Sequence, residues 1–313
     1  MGVTITTLSL ANDLLTGMEW GPSRLRELMA LAGDIKARPD RFRNGLAGRF
    51  VAMIFEKPSL RTRVTFEVGI SSLGGTPIFL DHTVTHLGAR ESIQDIAKCL
   101  DRWVHGIVAR TFAQQSIDEL ALHARVPVIN ALSDRFHPCQ AFADFFTLEE
   151  RYGGVRGLKI AYVGDGNNTC HSLLSVAART GAHFSVATPA GHEPDPAVVA
   201  DARRMARETR AKIEILRSPE EAVAGAQAVY TDAWASMGQE DEAEARKIIF
   251  TGYQVDEKLI SCAAPDAVFM HCLPAHRGQE VTEAMMDSPR SIVFDQAENR
   301  LHVQKAILLT LFN

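Results

Sequence analysis

Residues 50–63 read FVAMIFEKPSLRTR: six apolar residues, a turn through Glu56, Lys57 and Pro58, then Ser59, Leu60, Arg61, Thr62 and Arg63 where a helix begins. An apolar run without polar alternation marks a strand covered on both faces, the habit of parallel sheets flanked by helices. The stretch is therefore one strand-turn-helix unit. Its charge is out of place, because a helix N-terminus is already partly positive and each arginine there costs about 0.3–1 kcal/mol. An anion would remove the conflict: backbone N–H groups, two hydroxyls and a guanidinium around one point suit a phosphate dianion. The competing reading is a solvated helix end with arginines paired to Glu56 or Glu67.

The same kind of apolar run recurs at 106–109 (GIVA), 126–129 (VPVI), 160–163 (IAYV), 184–187 (FSVA), 228–230 (AVY), 267–270 (AVFM) and 292–294 (IVF). Helical patterns lie between them, at 63–73, 91–103, 171–180 and 195–209. Strand and helix alternate, so the expected class is α/β, with two doubly wound domains built on parallel sheets. Three glycines within RYGGVRGLK (151–159) mark the break. They divide the chain into 1–150 and 151–297, with 298–313 as a terminal helix. Sites are expected at the carboxyl ends of strands.

Bulk composition narrows the function. With 33 basic against 38 acidic residues and a net charge of −5, the chain offers no surface for nucleic acid or an anionic membrane, so a positive site must be local. No apolar run approaches the roughly 20 residues of a membrane span, and the first residues lack a signal-peptide pattern, so a cytoplasmic location is expected. Five cysteines without a CxxC pair indicate free thiols rather than a disulfide framework or a zinc knuckle.

Four further stretches bring polar groups to strand ends. GDGNNTCHS (164–172) resembles a dinucleotide fingerprint only loosely: Thr169 stands at the third glycine and no acidic residue follows the next strand. Its asparagines read better as amides offered to a small ligand, or as a simple Asx turn. His137 and Gln140 in HPCQ, with Arg110 ending GIVAR, form donors suited to a carbonyl oxygen that becomes negative during acyl transfer. YTDAWASMG delivers Asp232 and Ser236. MHCLPAHRG delivers His271 and Cys272, the latter a nucleophile, a metal ligand or a packed thiol. Neighbours on a strand point to opposite faces, which argues against a metal shared by His271 and Cys272.

Taken together, FEKPSLRTR, HLGARES (86–92), Arg110, HPCQ, GDGNN, DAWASMGQE, HCLPAHRGQEV and AENR (297–300) resemble, in order and over nearly the whole length, the aspartate/ornithine carbamoyltransferase family. The resemblance implies a carbamoyl-phosphate domain followed by an ornithine domain, with the C-terminal helix packing back on the first. It implies a homotrimer or a multiple of trimers, with carbamoyl phosphate and L-ornithine as partners and neither cofactor nor metal. By position, Ser59, Leu60, Arg61 and Thr62 would take the phosphate. Arg110, His137, Gln140 and Arg300 would hold the carbamoyl group, with Cys272 and the Leu273 carbonyl beside its nitrogen. His86 sits in a loop that in this family reaches a neighbouring subunit. Asn168 and Met237 would bind the ornithine carboxylate, and Asp232 and Ser236 its α-amino group. Arg110, His137, Asp232 and Cys272 would be the catalytic set. Leu60 departs from the family, which more often carries Thr there, so one hydroxyl contact to phosphate is missing.

The implied reaction is direct attack of the neutral δ-amine of L-ornithine on carbamoyl phosphate, giving L-citrulline and phosphate. Aspartate as acceptor is disfavoured because its second carboxylate needs a cation where DAWASMG supplies an acid and a hydroxyl. Putrescine lacks the α-groups, and N-acetylornithine has no charged α-amine for Asp232. From other classes, a Cys272 thiol hydrolase predicts a trapped acyl-enzyme, and a non-catalytic dinucleotide module predicts NAD binding through GDGNN.

Overall fold

A computed structural model describes residues 12–81, 87–235 and 240–312. The chain forms two compact units, one of residues up to Phe146 together with those from Asn299, the other of Thr147–Glu298. Each is an α/β unit around its own sheet.

The first sheet contains β1 (Phe50–Phe55), β2 (Thr76–Asp81), β3 (Gly106–Arg110) and β4 (Val128–Leu132), in the order β2-β1-β3-β4. Every pairing is parallel. The second contains β5 (Lys159–Val163), β6 (His183–Ala187), β7 (Ile213–Leu216), β8 (Ala228–Thr231) and β9 (Val268–His271), in the order β7-β6-β5-β8-β9, again all parallel. Parallel neighbours need a crossover, and the helices supply it, burying both faces of the central strands. Ala52, Ile54, Ile107, Ala109 and Val128 build one core with Leu100 and Leu120. Ala161, Val163, Val229 and Phe269 build the other with Leu259 and Met285.

Both strand orders contain a point where successive strands are laid down on opposite sides of the first one. In the first sheet it lies between β1 and β3, in the second between β5 and β8. Ligands of open parallel sheets bind outside the carboxyl ends of the strands at such points. The turns that leave β1, β3, β5 and β8 are therefore the places to examine.

Three sequence expectations change. Residues 292–294 are not a strand: Ser291 makes a single parallel bridge to Phe269, and a helix then runs Val293–Phe312. A three-residue apolar run fits either element, and here one side of a helix turn is buried at Val293 while Phe294 is 70% exposed. The terminal helix consequently starts five residues before the expected Glu298. The edge strands β2 and β7 escape the apolar-run criterion, because TPIFLD and IEIL carry Pro77 and Glu214 at positions that an edge tolerates.

The last helix does return to the first unit. An added Cβ at Gly106 would lie 2.1 Å from the Phe312 ring, and one at Gly69 would meet the Lys305 stem at 3.4 Å. Glycine at position 106 leaves the room that the Phe312 ring fills, whereas at Gly69 the contact is an ordinary one.

Candidate active site

In the first unit, Ser59 caps helix Leu60–Ser72, its Oγ accepting from the Thr62 N–H at 3.3 Å. No acidic residue occupies the first turn, so the exposed N–H groups and their dipole stay uncompensated by the helix itself. The two arginines divide. Arg63 Nε donates to Glu67 at 3.0 Å and its guanidinium lies 3.6 Å from the Phe79 ring, which is the bland surface role. Arg61 is half-buried and has no ion pair among the described residues. Glu56, the other proposed partner, instead accepts from the Phe112 N–H at 2.9 Å. The charge conflict that singled out this stretch is thus relieved at Arg63 and kept at Arg61.

Around that turn stand the other candidates. Phe55 and Arg110 are register partners at the ends of β1 and β3, and the Glu56 N–H donates to the Arg110 carbonyl at 2.8 Å. Arg300, 3% exposed, donates through Nη2 to Thr62 Oγ1 at 2.7 Å and through Nη1 to Gln140 Oε1 at 2.5 Å. Gln140 Nε2 in turn donates to Asp144 at 2.7 Å. Thr62, Gln140 and Arg300 are therefore one network, joining residues far apart in the chain.

His137 is 4% exposed, at the start of helix Pro138–Tyr152. Burial, and then the positive charges of Arg300 and Arg110, hold its imidazole well below the ordinary histidine range. It is neutral at pH 7 and can donate one hydrogen bond without adding charge. Cys139 beside it is structural: its Sγ donates to the Asn130 carbonyl at 3.3 Å, and burial pushes its thiol up to about 12. Leu60 is 74% exposed, so its side chain faces outward from the helix start.

In the second unit, Asn167 rather than Asn168 organises the turn after β5. Its Oδ1 caps helix Asn168–Thr180 by accepting from the Thr169 and Cys170 N–H groups, and its Nδ2 donates to Asp232 Oδ2 at 2.8 Å. Asn168 is half-buried and its Oδ1 accepts from the Thr169 N–H at 2.9 Å. Gly164 has a φ of +141, and a Cβ on Gly166 would lie 2.2 Å from the Pro194 nitrogen. These glycines serve the local turn and its packing, which accounts for GDGNN without a dinucleotide.

Thr231 and His271 are register partners ending β8 and β9, so the next residues, Asp232 and Cys272, stand side by side. Cys272 Sγ donates to Asp232 Oδ1 at 2.9 Å. The chain then turns at once, Leu273 taking a φ of +60. That turn overrides strand alternation, and donor atoms of Asp232, His271 and Cys272 come within 4.8 Å of one another, contrary to the expectation that His271 and Cys272 diverge. His271 has no nitrogen to spare: Nδ1 accepts from the Leu273 N–H at 2.8 Å and Nε2 faces Glu280 at 3.2 Å. It neither activates the Cys272 thiol nor offers a free lone pair to a metal.

Sequence reading overlooked Arg246. It is 7% exposed and donates through Nη1 to Asp165 at 3.1 Å and to the Trp234 carbonyl at 2.8 Å, and through Nε to Glu242. It thereby ties the turn after β5 to the segment after β8. Burial raises the Asp165 carboxyl, while Arg246 and His192 oppose that shift. A cation in a polar stretch carries no sequence mark of such a role. Of the expected site residues, His86, Ser236 and Met237 lie outside the described residues.

One unit carries a cation-rich set of side chains and the other an acid-bearing set, each at the switch point of its own parallel sheet. Sequence profiles described as aspartate/ornithine carbamoyltransferase match in two parts, the carbamoyl-P binding domain over residues 12–150 and the Asp/Orn binding domain over 156–311. The chain belongs to the aspartate/ornithine carbamoyltransferase family. It is similar to the ornithine carbamoyltransferase of Thermococcus kodakarensis, at 54% identity over 263 residues covering 84% of each chain. It is also similar to that of Thermus thermophilus, at 50% identity covering 97% of this chain and 98% of the relative. The solved structure of the ornithine carbamoyltransferase from Pyrococcus furiosus superposes with a TM-score of 0.92 at 47% identity, covering 95% of this chain and 96% of that one.

Proposed function

We propose that the protein transfers the carbamoyl group of carbamoyl phosphate to the δ-amine of L-ornithine, giving L-citrulline and phosphate by direct attack. The observation that carries this reading is Arg61, left without an ion pair among the described residues at an acid-free helix start in one unit; in the other, the Asp232 and Cys272 hydrogen bond at the ends of β8 and β9 supplies the acid.

Residues 1–150 act as the carbamoyl-phosphate domain, 151–297 as the ornithine domain and 298–313 as the returning helix. Ser59, Leu60 through its N–H, Arg61 and Thr62 bind the phosphate. Arg110, neutral His137, Gln140 and Arg300 hold the carbamoyl oxygen and bridging oxygens, stabilising charge that develops during attack. Asn168, Asp232, Ser236 and Met237 read the α-groups of ornithine. Cys272 and the Leu273 carbonyl orient the carbamoyl nitrogen and the incoming amine. Because the acceptor of the Sγ proton is the Asp232 carboxylate, a far weaker base than a thiolate, and His271 is engaged elsewhere, no imidazole activates the thiol for a covalent route.

The reading extends to assembly as a homotrimer or a multiple of trimers in the cytoplasm, with His86 serving a neighbouring site. Among the described residues no helix is long and apolar enough to cross a membrane. Leu60, Val64 and Val68 recur at helical spacing with exposures of 74, 46 and 46%, and Trp103 is 68% exposed beside a cavity of about 600 Å³. An apolar row of this kind supports contact with another copy.

The test is phosphate release from carbamoyl phosphate with ornithine, aspartate, putrescine and N-acetylornithine in parallel, with the carbamoylated product measured directly. Release with ornithine alone, matched by citrulline, is the expected result. Release with another amine overturns the acceptor, and no release overturns the reaction. The attacking amine must be unprotonated, so kcat is expected to rise toward alkaline pH.

A further inference from the structure

The loop after β9 contains an arrangement that carbamoyl transfer, as described above, does not use. Glu280 is 0% and His271 1% exposed. A backbone N–H only donates, so the bond from Leu273 N to His271 Nδ1, at 2.8 Å, makes Nδ1 the acceptor. In neutral His271 the proton then sits on Nε2, which faces Glu280 Oε1 at 3.2 Å. The same carboxylate oxygen also accepts from the His276 N–H. One buried acid therefore ties the start of the loop to its middle, and does so through the ring that holds Leu273.

Leu273 needs holding. Its φ of +60 puts a branched side chain in the left-handed region, at a cost of about 1–2 kcal/mol. Such strain persists only where the surroundings fix it, and it gathers at functional positions. Here the peptide between Cys272 and Leu273 is restrained on both sides: the Cys272 thiol donates to Asp232 at 2.9 Å, and the Leu273 N–H donates to His271. A further bond, from the His271 N–H to Gln296 Oε1 at 3.0 Å, fixes the backbone just before it. The restrained peptide carries the Cys272 carbonyl; the Leu273 carbonyl belongs to the next one, and the restraint reaches it by fixing the Leu273 nitrogen and the φ of +60 that sets where the carbonyl carbon leaves Cα. Stability alone is a weak reason for them, since a buried ionisable pair is often no more stabilising than apolar residues of the same volume.

We infer that Glu280 and His271 are a positioning pair: Glu280 sets the tautomer and orientation of His271, and His271 holds the Leu273 N–H and through it the backbone φ from which the Leu273 carbonyl is presented to the carbamoyl nitrogen and the attacking amine. The inference rests on the proposed transfer reaction. It places neither residue against substrate, and the effect belongs to orientation rather than to binding of the phosphate.

The isosteric variants of His271 test it. His271→Asn places an amide oxygen near the position of Nδ1 and keeps an acceptor for the Leu273 N–H, whereas His271→Gln reaches toward Glu280 and loses that acceptor. The expected outcome is a kcat about 10²-fold below wild type for Gln, the scale of a small misplacement of reacting groups, and a clearly smaller loss for Asn. The KM for carbamoyl phosphate is expected to stay unchanged in both. Glu280→Gln, whose carbonyl oxygen still accepts from both donors, should recover most of the kcat that Glu280→Leu loses. Thermal unfolding of each variant supplies the control, because a merely structural pair would make kcat follow stability in either order. Equal kcat for Asn and Gln, or Gln above Asn, overturns the inference while wild-type citrulline formation stands. Failure of the wild type to form citrulline overturns the transfer reading and this inference with it.

Discussion

The two half-sites occupy equivalent places in two sheets and have opposite chemistry. In the first unit the turn after β1 opens a helix with Arg61 and no acid in its first turn, and Arg110 and Arg300 supply positive charge around neutral His137. In the second, the turn after β5 opens a helix capped by Asn167, whose amide donates a hydrogen bond to Asp232, and the cation nearby, Arg246, is committed to Asp165, Glu242 and the Trp234 carbonyl. Topology places each site, but the side chains leaving the strands decide what it binds. A cation without an ion pair among the described residues defines one half, and an acid held by neutral donors defines the other.

The sharpest way to break that comparison is to remove the cation. Arg61→Ala is expected to lower kcat/KM by about 10³-fold, at the upper end of the effect of losing one preorganised donor, with the unfolding temperature essentially unchanged. Arg63→Ala, two residues along, is expected to change activity less than twofold, because its guanidinium already serves Glu67 and Phe79 and an exposed pair of this kind is worth about 0.2–1 kcal/mol. Steady-state kinetics on both proteins decides it, and equal effects would remove the case for Arg61 as the anion's partner.

The acid half should fail in a different parameter. Asp232→Asn is expected to raise the ornithine KM and lower kcat, about 10–100-fold in kcat/KM for ornithine, the weight of a charged hydrogen bond. The KM for carbamoyl phosphate should hold. A parallel loss for both substrates would mean that the two halves are not separable in the way their chemistry suggests.

A smaller effect follows from His137. Its folded-state imidazole titrates well below the ordinary value of 6.5, chiefly because it is buried, so folding favours the neutral form. Stability from this source is fully present above about pH 6.5 and is lost as the pH falls toward the depressed value, since the unfolded chain takes up the proton first. The unfolding temperature of the wild type should therefore drop between pH 7 and pH 5, and His137→Gln should flatten part of that drop. An unchanged slope in the variant would show that other groups carry the acid sensitivity.

How much of this was readable in advance depends on whether a residue acts locally. The central strands announced themselves because burial on both faces forces an uninterrupted apolar run, as in FVAMIF and KIAYV. Edge strands β2 and β7 are covered less completely, so Pro77 and Glu214 disguised them. The turn after β1 stands out in the sequence because its two arginines violate a local rule. Separating Arg61 from Arg63 was not legible, since the distinction depends on Phe79, which lies on one of the disguised strands. Arg246 acquires its role from a partner 81 residues away and nothing in its own neighbourhood marks it, while Asn167, legible as an Asx turn, hides its bond to Asp232, 65 residues on.

Leu60 gives the smallest expected effect on catalysis and the finest test of the comparison. From sequence alone, leucine in place of the family's threonine reads as a lost phosphate contact, which predicts that Leu60→Thr lowers the KM for carbamoyl phosphate. The side chain is instead 74% exposed, and it begins the apolar row with Val64 and Val68. Only its N–H belongs to the helix start, and threonine keeps that group. Leu60→Thr is therefore expected to leave the KM within about twofold, a free-energy change of roughly 0.4 kcal/mol. Its larger consequence should be a looser assembly, seen by sedimentation as dissociation at higher protein concentration than the wild type needs. A fall in KM with unchanged assembly would return position 60 to the phosphate site and extend the polar half by one residue.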